Sequence, residues 1–344
     1  VTDAVRTPDF DVLLEVSASL GADPYHVQGP GGNTSIKTAS GTMLVKASGF
    51  ELADALREDI FAEVEPARIV AALQAGAADP LAGIVPLRGR KPSIETAMHA
   101  AMPHRVVVHT HSVPAVAVSC RADALVVLRT RLTGLPWAFV PYARPGTPLA
   151  RAIVRSYRES PDASVLILGN HGVVVGHETP QGAHALLLEV VDRLDVEEPV
   201  KFDGHALAPD LETLGQLATR HGLELAAATD VHALALRPDL AAIAARGTLY
   251  PDHLIFLGPA AGVLADREAT GGRVAPQLWL VPGSGVLMER GLPRAAHAMA
   301  RCLADVVLRL GDAPAVSYLT PDDEAALLGM EEEVYRQELA RQMR

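Results

Sequence analysis

Residues 105–114, RVVVHTHSVP, and 168–176, LGNHGVVVG, decide how this chain is read. In each, histidine interrupts or borders a run of valines and leucines of the kind that forms a buried strand. Successive side chains on a strand point to opposite faces, so His109 and His111 share one face while Thr110 lies on the other. Two imidazoles can therefore converge on one ion. His171 stands at a strand-turn-strand boundary, between VLIL at 165–168 and VVV at 173–175, and can add a third nitrogen. Three protein ligands with one position left for substrate is the pattern of a catalytic zinc centre rather than a structural one. A strand histidine also serves as a hydrogen-bonded core residue, so the neighbouring residues must carry part of the reading.

Upstream stands KPSIETAMHAAMPH at 91–104, which predicts a helix over 93–102. Ser93 suits its N-cap, and Glu95 falls in the first turn, a common place for a structural carboxylate. Glu95 and His99 are four residues apart and also suit a helix-surface pair. The segment GPGGNTS at 29–35 is a candidate anion nest, because glycines let backbone N–H groups converge. A plain tight turn has the same composition.

Six separated motifs stand in one order: GPGGNTS at 29–35, KASG at 46–49, PSIETAMH at 92–99, VVHTHS at 107–112, PYARPGT at 141–147 and LGNHGVVV at 168–175. In order and spacing they resemble the class II aldolases, the adducin-type aldolase domain, over residues 10–200. The wording of the first two is most similar to the aldolase part of long proteins resembling rhamnulose-phosphate aldolase, in which a short-chain dehydrogenase follows. The resemblance implies that zinc, or another divalent metal, is held by His109, His111 and His171. It implies that Glu95 is the general base beside the metal. It also implies that substrate phosphate is held by Gly32 and Asn33, by Ser48 and Gly49, and by Ser93. The pattern departs at Ile94, where sugar-phosphate aldolases of this type carry a second serine. The reaction implied is aldol cleavage of a ketose, a ketose phosphate or a related hydroxy-keto acid, through a metal-stabilised enediolate. Relatives on such a scaffold catalyse decarboxylation, epimerisation or dehydration, and adducin-type domains that lack the metal ligands act as interaction modules. The implied assembly is a homo-oligomer, commonly a tetramer.

Composition sets limits on partners. The chain has 344 residues, 49% of them hydrophobic, enough for a large core and two domains. Lys and Arg number 30 against 41 Asp and Glu, a formal charge of −11 with no basic cluster, which speaks against a nucleic-acid partner. No charged-then-apolar leader opens the sequence and no apolar run is long enough for a bilayer, so no membrane partner is expected and a cytoplasmic location is. The two separated cysteines, Cys120 and Cys302, suit a reducing compartment, and Cys120 reads as a small buried hydrophobe. His26 and His253 read as hydrogen-bonded structural residues.

The predicted elements of residues 1–200 are a helix through 9–21, strands near 34–37 and 42–46, helices at 66–76 and 93–102, the VVVHTH strand, a helix at 147–160, the strands VLIL and VVV, and a closing helix from 181. Together they suggest a three-layer α/β/α sandwich around a mainly antiparallel sheet, the fold the resemblance also implies. After EEPVKFDGHALAPD at 197–210, residues 201–344 read as a smaller α/β domain with a regulatory or oligomer-contacting role. Its predicted elements are a helix at 211–221, a strand LELAAA, a helix at 233–246, a strand HLIFLG at 253–258, strands near 277–281 and 285–288, a helix at 292–310 and a charged C-terminal helix. The GSG at 283–285 is no dinucleotide fingerprint, so hydride transfer is not expected.

Overall fold

The computed structural model describes residues 7–87, 90–195, 208–269, 274–311 and 315–330. The chain divides into two compact units, Val1–Ala115 with Leu125–Asp195 and Val116–Ala124 with Val196–Arg344. A single cut at residue 200 thus misses one feature: residues 116–124 belong with the second unit.

The first unit holds strands β1 (Asn33–Lys37), β2 (Met43–Lys46), β3 (Phe61–Val64), β4 (Val106–Thr110), β5 (Trp137–Val140), β6 (Val165–Leu168) and β7 (Gly172–His177). They form one sheet in the order β3-β2-β1-β4-β7-β6-β5. Every neighbouring pair is antiparallel except β5 and β6. Its helices are α1 (Pro8–Ala22), α2 (Pro66–Gln74), α3 (Thr96–Ala101), α6 (Thr147–Glu159) and α7 (Pro180–Leu194), while α4 (Val113–Ser119) passes into the 116–124 segment of the second unit and α5 (Ala124–Arg131) follows it. Helix starts follow the sequence closely. Thr7 and Thr179 each cap with a side-chain oxygen, and Pro8 and Pro180 occupy first-turn positions where a missing N–H costs nothing.

Val107 of β4 packs with Met98 of α3, with Met102 at the C-cap of that helix, and with Leu149, Ala152 and Ile153 of α6. Ile69 and Leu73 of α2 extend this layer over Met43, Val45 and Val64. The opposite face is covered by α1 and α7. The result is a three-layer α/β/α sandwich, and the odd-numbered residues of β4 face the α3/α6 layer.

The second unit has a sheet ordered β8 (Leu223–Leu225), β11 (Gly285–Glu289), β10 (Leu278–Val281), β9 (Gly262–Val263). Around it lie α8 (Leu211–His221), α9 (Ala233–Leu236), α10 (Pro238–Arg246), α11 (Pro251–Leu257), α12 (Arg294–Leu310) and α13 (Pro321–Leu328). The predicted strand HLIFLG is instead part of helix α11. All seven residues of α11 are buried, so its apolar run shows no periodicity to separate a strand from a buried helix, and Pro251 at the first turn sets the helical start. The predicted helix 233–246 is broken at Arg237, which is extended ahead of Pro238 because the ring disfavours helical backbone in the preceding residue. The LELAAA strand is shortened to Leu223–Leu225. Most of the 197–210 linker and the charged stretch 331–344 lie outside the described residues. Among the described residues no helix is long and apolar enough to cross a membrane.

Candidate metal centre

Strand β4 runs between β1 and β7 near the middle of the sheet, with His109 opposite Asn33 on one side and Val174 on the other. His111 lies just past the strand end. His171 arrives from the turn between β6 and β7, where its N–H donates to Leu168 O at 3.2 Å. Asn170, at φ 50°, takes the left-handed position of that turn, a role open to Gly and Asn far more than to other residues. Gly172 follows for a steric reason. A Cβ there would stand 2.4 Å from Thr110 O, so only glycine lets β7 close on β4 beside His111. These two positioning residues were not singled out in the sequence, although N-H-G after an apolar run is a readable signal.

The three imidazoles are brought together and buried, at 0%, 7% and 4% exposure for His109, His111 and His171. One nitrogen from each lies within 4.8 Å of the others, and His109 Nε2 is 3.1 Å from His111 Nε2. Tetrahedral bonds of 2.0–2.1 Å would separate ligand nitrogens by about 3.3 Å, close to the His109–His111 separation, so the set could hold a divalent metal ion. His109 Nδ1 stands 3.0 Å from Val173 O. A carbonyl only accepts, so Nδ1 carries the proton and Nε2 presents its lone pair to the cluster.

Glu95 completes the group. Its Oε1 is 3.4 Å from His171 Nε2 and 3.6 Å from His109 Nε2, is buried, and accepts no hydrogen bond. A buried carboxylate oxygen beside two imidazole nitrogens is costly unless a cation or proton shares the space, which also fits a metal. The N-cap differs from the prediction. Helix α3 begins at Thr96 with Glu95 at the cap position, and the Glu95 side chain makes no capping bond. Ser93 Oγ instead accepts the Glu95 N–H at 3.3 Å and Asn33 Nδ2 at 3.4 Å. Nor do Glu95 and His99 form a surface pair. His99 is fully buried against Ser35 Oγ at 2.8 Å, and burial first, then the nearby His109, Lys37 and Lys46 charges, hold its pKa well below the usual range.

The remaining predicted residues sit around this core. Asn33 shares a face with His109 and keeps a buried Oδ1 without a hydrogen-bond partner. Gly32, at φ 66°, backs onto His109 O, where a Cβ would come within 3.0 Å. Ser48 N donates to Lys91 O at 2.9 Å beside the Ala47–Pro92 bridge, which sets the Ser48–Gly49 turn next to Ser93. Gly49 is left-handed at φ 82°.

Residues 12–196 match the family described as Class II Aldolase and Adducin N-terminal domain. The chain belongs to that family. A 105-residue stretch is 30% identical to an uncharacterized oxidoreductase, YuxG, of Bacillus subtilis strain 168; it covers 30% of this chain and only 15% of that protein. Among solved structures, the N-terminal class II aldolase domain of a conserved Thermoplasma acidophilum protein aligns with TM-score 0.47 and 24% identity, over 56% of this chain and 95% of that one. The l-fuculose-1-phosphate aldolase of Thermus thermophilus aligns with TM-score 0.38 and 19% identity, over 54% and 90%. The matched region contains the His109, His111, His171 group, whose donors suit a divalent metal. In this class II aldolase-family chain, then, a buried three-imidazole group, a carboxylate and two glycine turns share one end of the sheet.

Proposed function

We propose that this chain is a Zn²⁺-dependent aldolase that reversibly cleaves a ketose, most fittingly a ketose phosphate, acting in the cytoplasm as a homo-oligomer. One observation supports it above the rest: Glu95 Oε1 stands within 3.6 Å of two of the three buried imidazoles and, among the described residues, accepts no hydrogen bond. A divalent ion bound there would supply Lewis-acid polarisation of the substrate carbonyl. His109, His111 and His171 hold it, with the His109 tautomer fixed by Val173 O. Glu95 moves the proton. It takes the hydroxyl proton whose loss starts cleavage and returns one to the carbanion carbon. Asn33, Ser93, Gly32, Ser48 and Gly49 bind the anionic end, which keeps the reacting carbons over Glu95. Ser93 is suited to this because both its bonds within the protein use it as acceptor, leaving its own proton for a ligand.

An interaction module without chemistry would have no need of three buried converging imidazoles. The test is Glu95→Gln, purified beside wild type, with metal content by plasma mass spectrometry and aldehyde release from a panel of ketose phosphates. Retained zinc with cleavage lowered by about 10²–10⁴-fold is the expected result. Retained zinc with undiminished cleavage would remove Glu95 from the mechanism.

A further inference from the structure

The converging histidines differ in how the fold holds them. His109 is locked in the ladder, but the pairs on either side of β4 end at Asn33–His109 and Thr110–Val173, and His111 lies beyond both. The segment 111–113 is held instead by the turn that follows α1. There the Tyr25 carbonyl accepts the Val113 N–H at 2.9 Å, and His26 Nδ1 stands 3.0 Å from Ser112 Oγ. Ser112 Oγ is in turn 2.8 Å from Thr110 Oγ1, which puts it on the face away from the His109 imidazole. Gln28 Nε2 donates to Pro24 O at 2.6 Å and to His111 O at 3.4 Å. The turn is itself anchored, because Tyr25 Oη donates to Asp195 Oδ2 at 2.7 Å, at the end of α7. Thr110, Ser112 and Gln28 are buried almost completely, and His26 is 9% exposed. Gln28 Oε1 is buried too and accepts no hydrogen bond among the described residues. An orphaned amide oxygen costs stability, so packing alone would favour an apolar side chain at position 28.

We propose that Gln28 and His26 are positioning residues for His111: Gln28 braces its carbonyl and His26 braces the side chain that follows it, so that the imidazole meets a bound divalent ion at a fixed distance and angle. Both act through the backbone of 111–113 and not as ligands. A coordination site works when its ligands are held within about 0.5 Å of the bonding geometry, and residues that orient a ligand change metal affinity without touching the ion. The ladder gives His109 that precision. For His111 the same service comes from a turn 83 residues earlier in the chain, which explains why a glutamine with an unused oxygen is kept in the interior. The proposal rests on the metal-site reading of His109, His111 and His171, and goes beyond it by assigning the fixing of one ligand to residues outside the matched motifs.

The test uses the full-length protein, freed of metal by chelator dialysis and reloaded with Co²⁺, whose visible absorption reports the geometry of its ligands. Gln28→Met removes the donor at nearly the same volume, and His26→Leu removes the bond to Ser112. His26→Asn is the rescue, because its amide nitrogen can stand where Nδ1 stood. Chelator competition should show Co²⁺ affinity lowered by roughly tenfold in Gln28→Met and in His26→Leu, with an altered visible spectrum in both. His26→Asn should return both readouts toward wild type. A merely structural role would lower the denaturation midpoint and leave affinity and spectrum unchanged; that result in either variant would overturn the assignment of its residue. Should the variants fail to fold, hydrogen exchange on wild type decides: Co²⁺ should slow exchange at Val113 and across 25–28 together with 109–111, and protection confined to 109–111 would overturn the proposal. Wild type that binds no Co²⁺ would overturn the metal reading and this proposal together, whereas normal binding in all variants would dismiss the brace alone. No readout needs turnover, so a failed Glu95 test leaves them standing.

Discussion

Both units of this protein bury histidines, but they use them differently. In the second unit His253 Nδ1 accepts the Leu249 N–H at 3.1 Å, and His232 Nδ1 accepts the Val286 N–H at 3.0 Å. Each ring there accepts from one buried backbone N–H and, among the described residues, joins no converging group of imidazoles. In the first unit three rings turn their nitrogens toward one another, and a carboxylate joins them. Burial alone is therefore no mark of a site. Convergence of lone pairs is, because lone pairs repel unless a cation or proton stands between them.

The largest effect should come from exchanging alanine into each kind. His111→Ala should lose bound divalent metal on dialysis, an affinity loss beyond the roughly 10–100-fold attached to an outer-shell partner. His253→Ala should keep the metal and instead lose about 1–3 kcal/mol of stability, the cost of an orphaned buried N–H. Metal content and chemical denaturation read the two, and metal loss in both would erase the distinction.

Next in size is the dependence of one unit on the other. Because Val116, Val118 and Cys120 are buried and belong with the second unit, a chain ended after Asp195 should expose them and lose cooperative unfolding. Cys120 Sγ contacts Leu249 O at 3.3 Å, and Ser317 N donates to Cys120 O at 2.7 Å, contacts that this truncation deletes. A monodisperse, cooperatively unfolding fragment with normal zinc would show that the first unit stands alone and leave the second for regulation or assembly.

A smaller, pH-linked difference separates the two sets further. Burial lowers the His253 pKa to about 3, whereas the unfolded chain titrates near 6.5. Between those values the unfolded state binds the extra proton. The stability contribution is thus complete above about pH 6.5 and falls by up to about 1.4 kcal/mol per pH unit as the solution becomes more acidic. Melting temperatures from pH 7 to 4 should fall less steeply in His253→Gln than in wild type; parallel curves would contradict the assignment. The smallest expected effect is at Asn170. Its left-handed backbone should make Asn170→Ala about 1 kcal/mol less stable and Asn170→Gly nearly neutral, with zinc retained by both.

Local signals were legible where chemistry or backbone stereochemistry is written in few residues. Period-two alternation and the glycine turns lie within single segments, and the sandwich with its mainly antiparallel sheet follows from them. Other features depend on distant partners. Helix α11 reads like a strand because its neighbours cover it on every side. Ser93 looks like a cap until Asn33, 60 residues away, claims it. The passage of 116–124 into the second unit is set by pairing with residues 315–317, and nothing in VPAVAVSC announces it. The strands β3 and β5 and helices α4 and α5 carry no turn or motif strong enough to have been read.

The register of β4 makes the metal group a matter of parity. His109 faces α3 and α6 because it is odd-numbered in a strand pinned on each side, with Asn33 and Val174 as the opposing marks, and His111 follows two residues on, just past the strand end. A one-residue insertion ahead of His109 would present Val108 and Thr110 to the ion's place and turn both imidazoles toward α1 and α7. A two-residue slip would restore the facing but not the partners. Length changes in this family should therefore collect in the 38–42 and 76–91 connections, where the count between strand and histidine does not enter.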